Sequence, residues 1–376
     1  MTQGDKFTIS EQQIEYLDTW MYKVSRSFAI VVRAVEVPLQ HYLSTAYLIC
    51  RVIDNIEDCS QSHDWKKNRF TELGTLLDEP QNAVDILTAW ENDAWPGLTA
   101  DEERIMGVSD GLTLWEIYRS IPSSSQDIIQ RWAHKMALGM SQLDDPQVQP
   151  QFIEIHDTQV LGDKQDYDDY CYIVAGTVGH MATELVSEHY GLSQPIADQL
   201  SLNAEACGRG LQKTNIIKDF TDDLERGVSY VNADWMQEID NTPLSLEGAP
   251  LVWIQKIFED VLADLDKATE YLLTLPHSAI GYRKASLLCL LPAYQTLILA
   301  AEGKSKLFTP EHQFKISHET MAQCLHDTER LALDDDGIQH YSRAAKLEIN
   351  NSLYLDAAPA VQIKPDLKNT FASRGV

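Results

Sequence analysis

Apolar positions recur at helical spacing along most of the chain. Ile14, Leu17, Tyr22 and Val24 share one face, which predicts a helix over 11–35. Pro38 suits a helix start, and the same spacing continues over 41–56 and 66–77. A helix over 82–90 is broken by Trp95-Pro96-Gly97. The next runs over 100–121 and stops at Pro122. Ser123-Ser124-Ser125 then caps a helix over 126–143. Pro146 and Pro150 make 144–151 a loop. A long periodic run over 166–190 stops at Gly191, and another follows over 196–224. Residues 227–241 are irregular. The run 250–275 is strongly amphipathic and ends at Pro276, and 286–301 is a nearly all-apolar helix. No run predicts a sheet. The expectation is an all-α fold of about ten helices in one domain, 1–355, packed around a central cavity. Residues 356–376 lack periodicity, carry Pro359 and Pro365, and read as a loose tail.

Composition sharpens this picture. Hydrophobic residues make up 44% and charged residues 23%, as in a globular protein. Only 18 glycines and 14 prolines occur in 376 residues, which disfavours a turn-rich sandwich or barrel. Acidic residues number 57 against 30 basic ones, a net charge of −27. Such a chain repels nucleic acid and anionic head groups at long range. Local basic groups or metal ions must therefore hold any anionic substrate. Cys50, Cys59, Cys171, Cys207, Cys289 and Cys324 form no C-x-x-C pair, and the polar start is no signal peptide. A reducing cytosol with mainly buried thiols is expected. The stretch 285–301 contains Pro292, Gln295 and Thr296 and is shorter than a membrane span needs, so it reads as a core helix.

Two acidic clusters lie inside apolar helices. Asp54, Glu57 and Asp58 sit at i, i+3 and i+4 and share one face. Asn215, Asp219 and Asp223 repeat at i, i+4 and i+8. Either cluster alone reads equally as a solvated face or as helix pairs with Lys and Arg. Two of them, each in an apolar helix, point to a hard cation such as Mg²⁺ and a bound diphosphate. Arg51 shares the face of Asp54, as an ion pair or a phosphate ligand. Ser25-Arg26-Ser27-Phe28 offers a phosphate grip or a solvated turn. Lys218 reads as a salt partner of Asp219. His180 and His189 read as surface or satisfied core residues. No motif of a zinc protease, α/β-hydrolase, dinucleotide fold or P-loop occurs.

Four segments carry a resemblance: SRSF at 25–28, YLICRVIDNIED at 47–58, YCYIVAGTVG at 170–179 and LQKTNIIKDFTDD at 211–223. Together they resemble the squalene and phytoene synthases, the head-to-head prenyl synthases, over roughly residues 20–310. The resemblance implies an all-α isoprenoid-synthase fold and a Mg²⁺-dependent prenyltransferase. It implies that Asp54, Glu57, Asp58, Asn215, Asp219 and Asp223 bind metal and diphosphate, with Asp54 and Asp219 also counted as catalytic. Tyr170 matches a tyrosine near the reacting carbons and Tyr47 a second cavity tyrosine. Ser25, Arg26, Ser27, Arg51, Gln212 and Lys218 match phosphate-side positions.

Within the family the motifs look most like soluble bacterial squalene synthases, and no C-terminal membrane anchor of the eukaryotic kind is expected. The implied reaction joins two farnesyl diphosphates through presqualene diphosphate to squalene, with hydride from NADPH. Two departures bear on the reductive step. Val228 stands at a family arginine, with Arg226 two residues away, and Ser317 replaces the arginine of a basic element that retains Lys315. The alternatives are a dehydrosqualene or phytoene synthase without that step, or a silent helical member acting as a scaffold. The expectation is a cytoplasmic monomer that meets a membrane peripherally to release its product and binds no nucleic acid.

Overall fold

The computed structural model describes residues 8–143, 145, 152–155, 158–236, 251–304 and 314–354. The tail expected over 356–376 lies outside the described residues. The first half comprises α1 (Glu11–Val24), α2 (Arg26–Arg33), α3 (Leu39–Asp58), α4 (His63–Asp78), α5 (Ala83–Glu91), α6 (Ala100–Met106), α7 (Val108–Ser120) and α8 (Ser123–Leu143). Then come β1 (Phe152–Ile155), β2 (Thr158–Leu161), α9 (Lys164–Cys171), a π-turn (Tyr172–Gly176), α10 (Thr177–His189), α11 (Gln194–Glu225) and β3 (Val228–Ser229). The last elements are α12 (Ala233–Met236), α13 (Leu251–Thr274), α14 (Ile280–Glu302), α15 (His318–Leu331) and α16 (Asp335–Tyr354).

The all-α expectation stands, with corrections. The run 11–35 is two helices because Ser25 turns extended (φ −159°, ψ 104°) and ends α1. Its hydroxyl accepts from the Phe28 N–H at 3.2 Å and so starts α2. Extended Gly107 divides 100–121 in the same way. Ser123, Ser124 and Ser125 lie within α8 rather than before it, and the Ser125 hydroxyl donates to Glu188 at 2.7 Å. A small sheet exists where none was predicted. β1 pairs antiparallel with β2, and β2 pairs parallel with β3 through Gln159↔Val228 and Val160↔Ser229. Its strands of four, four and two residues are too short for alternation to register. Residues 227–241 were expected to be irregular, but they contain β3 and α12.

α11 runs through the middle, packed on α10, α13 and α14. Glycines set the approach of α10 to α11. A Cβ on Gly208 would lie 1.9 Å from the Ala175 carbonyl oxygen, and one on Gly179 would lie 2.1 Å from that of Ala204. Only residues without a Cβ let these backbones meet. α14 is a core helix, as expected: Leu287, Tyr294, Leu297 and Ala300 are fully buried. His277–Glu302 is the one stretch among the described residues long and apolar enough to cross a membrane, and 67% of its most apolar window is buried. Buried Arg283 donates to the Leu272, Leu275 and Ala332 carbonyls at 3.0, 2.6 and 2.7 Å, satisfying the C-terminal end of α13. All six cysteines are free thiols, and Cys50, Cys59, Cys171 and Cys324 are buried.

Candidate active site

α3 and α11 turn their polar faces toward one open cavity of about 560 Å³. On α3, Val52, Ile53 and Ile56 enter the core, which leaves Arg51, Asp54, Glu57 and Asp58 on the cavity side. On α11, Ile217 and Phe220 are buried, and Gln212, Asn215, Asp219 and Asp223 line the cavity. Tyr170 comes from the end of α9, just before the π-turn. Such turns concentrate at functional sites. Met140, Val174 and Ile216 supply an apolar wall. Ten of the residues singled out from sequence therefore meet at one place.

Burial and crowding set the charge state. Burial is the main force pushing the Asp54 carboxyl up to about 7; Asp58 and Glu102 add to it, and Arg51 opposes it. Burial likewise pushes Asp223 up to about 6, with Asp219 and Asp222 adding and Arg226 opposing. Asp58 is raised by burial against the pull of Arg51 and Arg226. Among the described residues, six carboxylates and only two guanidinium groups line the cavity. Arg51 Nη1 lies 3.7 Å from Asp54, and its other terminal nitrogen pairs with Glu102 of α6. Burial alone would raise Glu102, but hydrogen bonds from Thr99 and Arg51 hold it below the usual range. Arg226 pairs with Asp223 and lies 3.9 Å from Asp58.

The other predicted residues are placed differently. Tyr47 stacks on Phe28 at 4.9 Å and shares a hydrogen bond with the Ser25 side chain, one helical turn before Arg51. Ser25 and Tyr47 thus adjoin the first motif without lining the cavity. Arg26 and Ser27 are exposed, with the Arg26 guanidinium 6.0 Å from the Tyr22 ring centroid. Lys218 bonds to Asn215 at 3.1 Å and to Asp219 at 3.0 Å, so it neutralises the second motif from its own helix. Lys315 is exposed. Ser317 caps α15, its hydroxyl accepting from the Thr320 N–H at 3.0 Å. His180 stacks on Trp132 at 4.8 Å and lies away from the cavity lining.

Three residues escaped sequence reasoning. Tyr230 and Asp222 line the cavity, and Glu102 holds Arg51. Asp222 lay in plain view within the second motif. Nothing in the sequence links Glu102 to Arg51, because the pairing spans 51 positions.

The side-chain donors lining the cavity are carboxylate, amide and hydroxyl oxygens, the Arg51 and Arg226 guanidinium nitrogens, the Gln212 and Asn215 amide nitrogens and the Met140 thioether. Among the described residues no three His, Cys, Asp or Glu side chains converge closely enough to cage an ion. The carboxylate oxygens of the lining suit Mg²⁺, which takes one or two carboxylates and completes its shell with waters and phosphate oxygens.

Comparison with known proteins shows the family. A family model described as squalene/phytoene synthase matches residues 21–318. The mouse (Mus musculus) squalene synthase is 28% identical over 221 residues, covering 58% of this chain and 46% of that protein. The Saccharomyces cerevisiae squalene synthase is 31% identical over 218 residues, covering 57% and 44%. The matched region therefore spans about half the length of these curated relatives. Among solved structures, TcSQS in complex with a ligand superposes with a TM-score of 0.76 at 21% identity, over 93% of this chain and 94% of the other. A dehydrosqualene synthase in complex with a ligand gives 0.57 at 15% identity, over 85% and 96%. With both acidic motifs and the π-turn segment inside the matched region, the chain belongs to the squalene/phytoene synthase family.

Proposed function

We propose that this chain is a squalene synthase: a Mg²⁺-dependent prenyltransferase that joins two farnesyl diphosphates through presqualene diphosphate to squalene, with NADPH as reductant. The observation that carries the reading is the meeting of both acidic motifs and Tyr170 on one cavity. The curated squalene synthases that the chain matches support the choice of branch.

Asp54, Glu57 and Asp58 on one wall, and Asn215, Asp219 and Asp223 on the other, would hold Mg²⁺. When bound, Mg²⁺ supplies positive charge to a departing diphosphate. In this reading Arg51, Gln212 and Arg226, which line the cavity, and Lys218, beside Asn215 and Asp219, bind diphosphate oxygens as negative charge develops. Ser25, Arg26 and Ser27 belong to the same phosphate side in this reading. Tyr170 offers an aromatic face and a hydroxyl to the reacting carbons, and Tyr47 supports the first motif. Met140, Val174 and Ile216 keep water from the cationic carbons. The reading takes the enzyme to be a single-domain cytoplasmic monomer, 1–355, that meets a membrane peripherally to release an apolar product.

The residues associated with NADPH fit less well. Lys315 is exposed, Ser317 is committed to capping α15, and Val228 is paired in the sheet. These same placements favour a second reading, in which the enzyme stops at presqualene diphosphate or releases dehydrosqualene. Incubation with farnesyl diphosphate and Mg²⁺, with and without NADPH, followed by gas chromatography, separates the two. Squalene formed only with NADPH supports the first. A product indifferent to NADPH supports the second.

A further inference from the structure

Tyr230 belongs to neither acidic motif, yet it lines the cavity beside Tyr170, Asp58 and Arg226. Its ring stacks on that of Tyr170, with centroids 4.3 Å apart and planes 17° apart. The two side chains also share a hydrogen bond. Phe152 of β1 meets Tyr230 edge-on at 6.3 Å and 73°.

The backbone under Tyr230 is held at several points. Gly227 takes a left-handed conformation (φ +80°), and its carbonyl accepts from the Gln159 N–H at 2.8 Å. Val228 and Ser229 pair with β2, and the Ser229 hydroxyl donates to the Val231 carbonyl at 3.2 Å. Ser229 and Val231 are fully buried. Alternation along extended backbone then directs Tyr230 to the opposite side, where the cavity is. The unpredicted sheet thus has a consequence at the site: it anchors the ring that stacks on Tyr170.

We propose that Tyr230 is a positioning residue for Tyr170, fixing its ring plane by stacking and its hydroxyl by the shared hydrogen bond. This rests on the reading above, in which Tyr170 faces the reacting carbons. An aromatic face stabilises positive charge only when it is held over it, and a displacement of about 1 Å can cost 10²-fold in rate. A lone Tyr170 would be free to turn about its side-chain bonds. Stacked on an anchored neighbour, it presents one geometry.

The test uses the full chain and two variants, Tyr230→Phe and Tyr230→Leu. The first keeps the stack and removes the hydroxyl; the second removes both. Turnover of farnesyl diphosphate with Mg²⁺ is measured together with the NMR signal of ¹³Cζ-labelled Tyr170, assigned with Tyr170→Phe. The expected result is a moved Tyr170 signal in both variants. KM should stay near the wild-type value, while kcat falls by about 10-fold in Tyr230→Phe and about 10²-fold in Tyr230→Leu. An unmoved Tyr170 signal in Tyr230→Phe with wild-type kcat overturns the proposal. So does a loss carried entirely by KM with the signal unmoved, which would make Tyr230 part of the binding wall only. If the wild-type protein forms no product but the Tyr170 signal moves, the reaction reading fails and the positioning of Tyr170 by Tyr230 is upheld.

Discussion

The Arg226 guanidinium lies 3.9 Å from the Asp58 carboxylate on α3 while pairing with Asp223 on α11. One side chain thereby links the two acidic walls and acts as a built-in counter-ion. Arg226 is 61% exposed, so the link is worth at most about 1 kcal/mol. Arg226→Gln should lower the melting temperature in metal-free buffer by about 1 °C, and saturating Mg²⁺ should shrink the difference. An equal deficit with and without Mg²⁺ would show that Arg226 does not neutralise the same carboxylates that the metal does.

The acidic walls also set a pH dependence. Asp54 is raised to about 7 and Asp223 to about 6, chiefly by burial. A carboxyl raised in the folded state keeps its proton where the unfolded chain has lost it. Folding then binds protons, and stability falls as pH rises from about 4 to about 7. Melting temperature in the presence of chelator should decline over that window, and Mg²⁺ should flatten the decline by favouring the ionised form. A melting temperature that rises through the window with chelator present would contradict the charge states assigned here.

Asp54→Asn and Asp219→Asn separate stability from activity. Each removes a charge from a crowded acidic wall, so stability without metal should hold or increase. Activity should fall by about 10²–10³-fold, as when a group that stabilises developing charge is removed. Circular dichroism, thermal melts and product assays on the same preparations check both halves. Loss of fold and activity together would assign these residues a structural role.

Behind α11 lies a different kind of charge. Lys213 is 2% exposed and bonds to Asp168, Asp260 and Asp264 at 3.0, 2.6 and 2.8 Å, tying α9 and α13 to α11. Lys213→Met would leave these three carboxylates only Lys164 and Arg209 as partners, with buried Asp264 losing its lysine, and should cost about 3–5 kcal/mol in denaturant unfolding. A cost below about 1 kcal/mol would mean that these carboxylates pick up protons or water freely.

The legible part of this protein was local. Asp54, Glu57 and Asp58 were readable because helical spacing gathers i, i+3 and i+4 on one face, and Asn215, Asp219 and Asp223 for the same reason. The illegible part depended on distant partners. Glu102 meets Arg51 from a capping box on α6, and Tyr230 meets Tyr170 from a two-residue strand. Ser25 breaks the first helix with no Gly or Pro to announce it, because its hydroxyl can cap the next one. Arg26, matched to a phosphate-side position, and Lys315, matched to the element tied to the reduced cofactor, shared a segment with the motifs or the family pattern. Neither is among the residues that line the cavity.

The central claim is a metal-dependent condensation of two C15 units at the cavity between α3 and α11. The direct measurement is incubation of the purified protein with farnesyl diphosphate and Mg²⁺, with parallel samples lacking Mg²⁺ or carrying Asp219→Asn. A C30 product that requires both Mg²⁺ and Asp219 is predicted. Farnesyl diphosphate left unconsumed by a folded protein, or a C30 product formed equally without Mg²⁺, would contradict it.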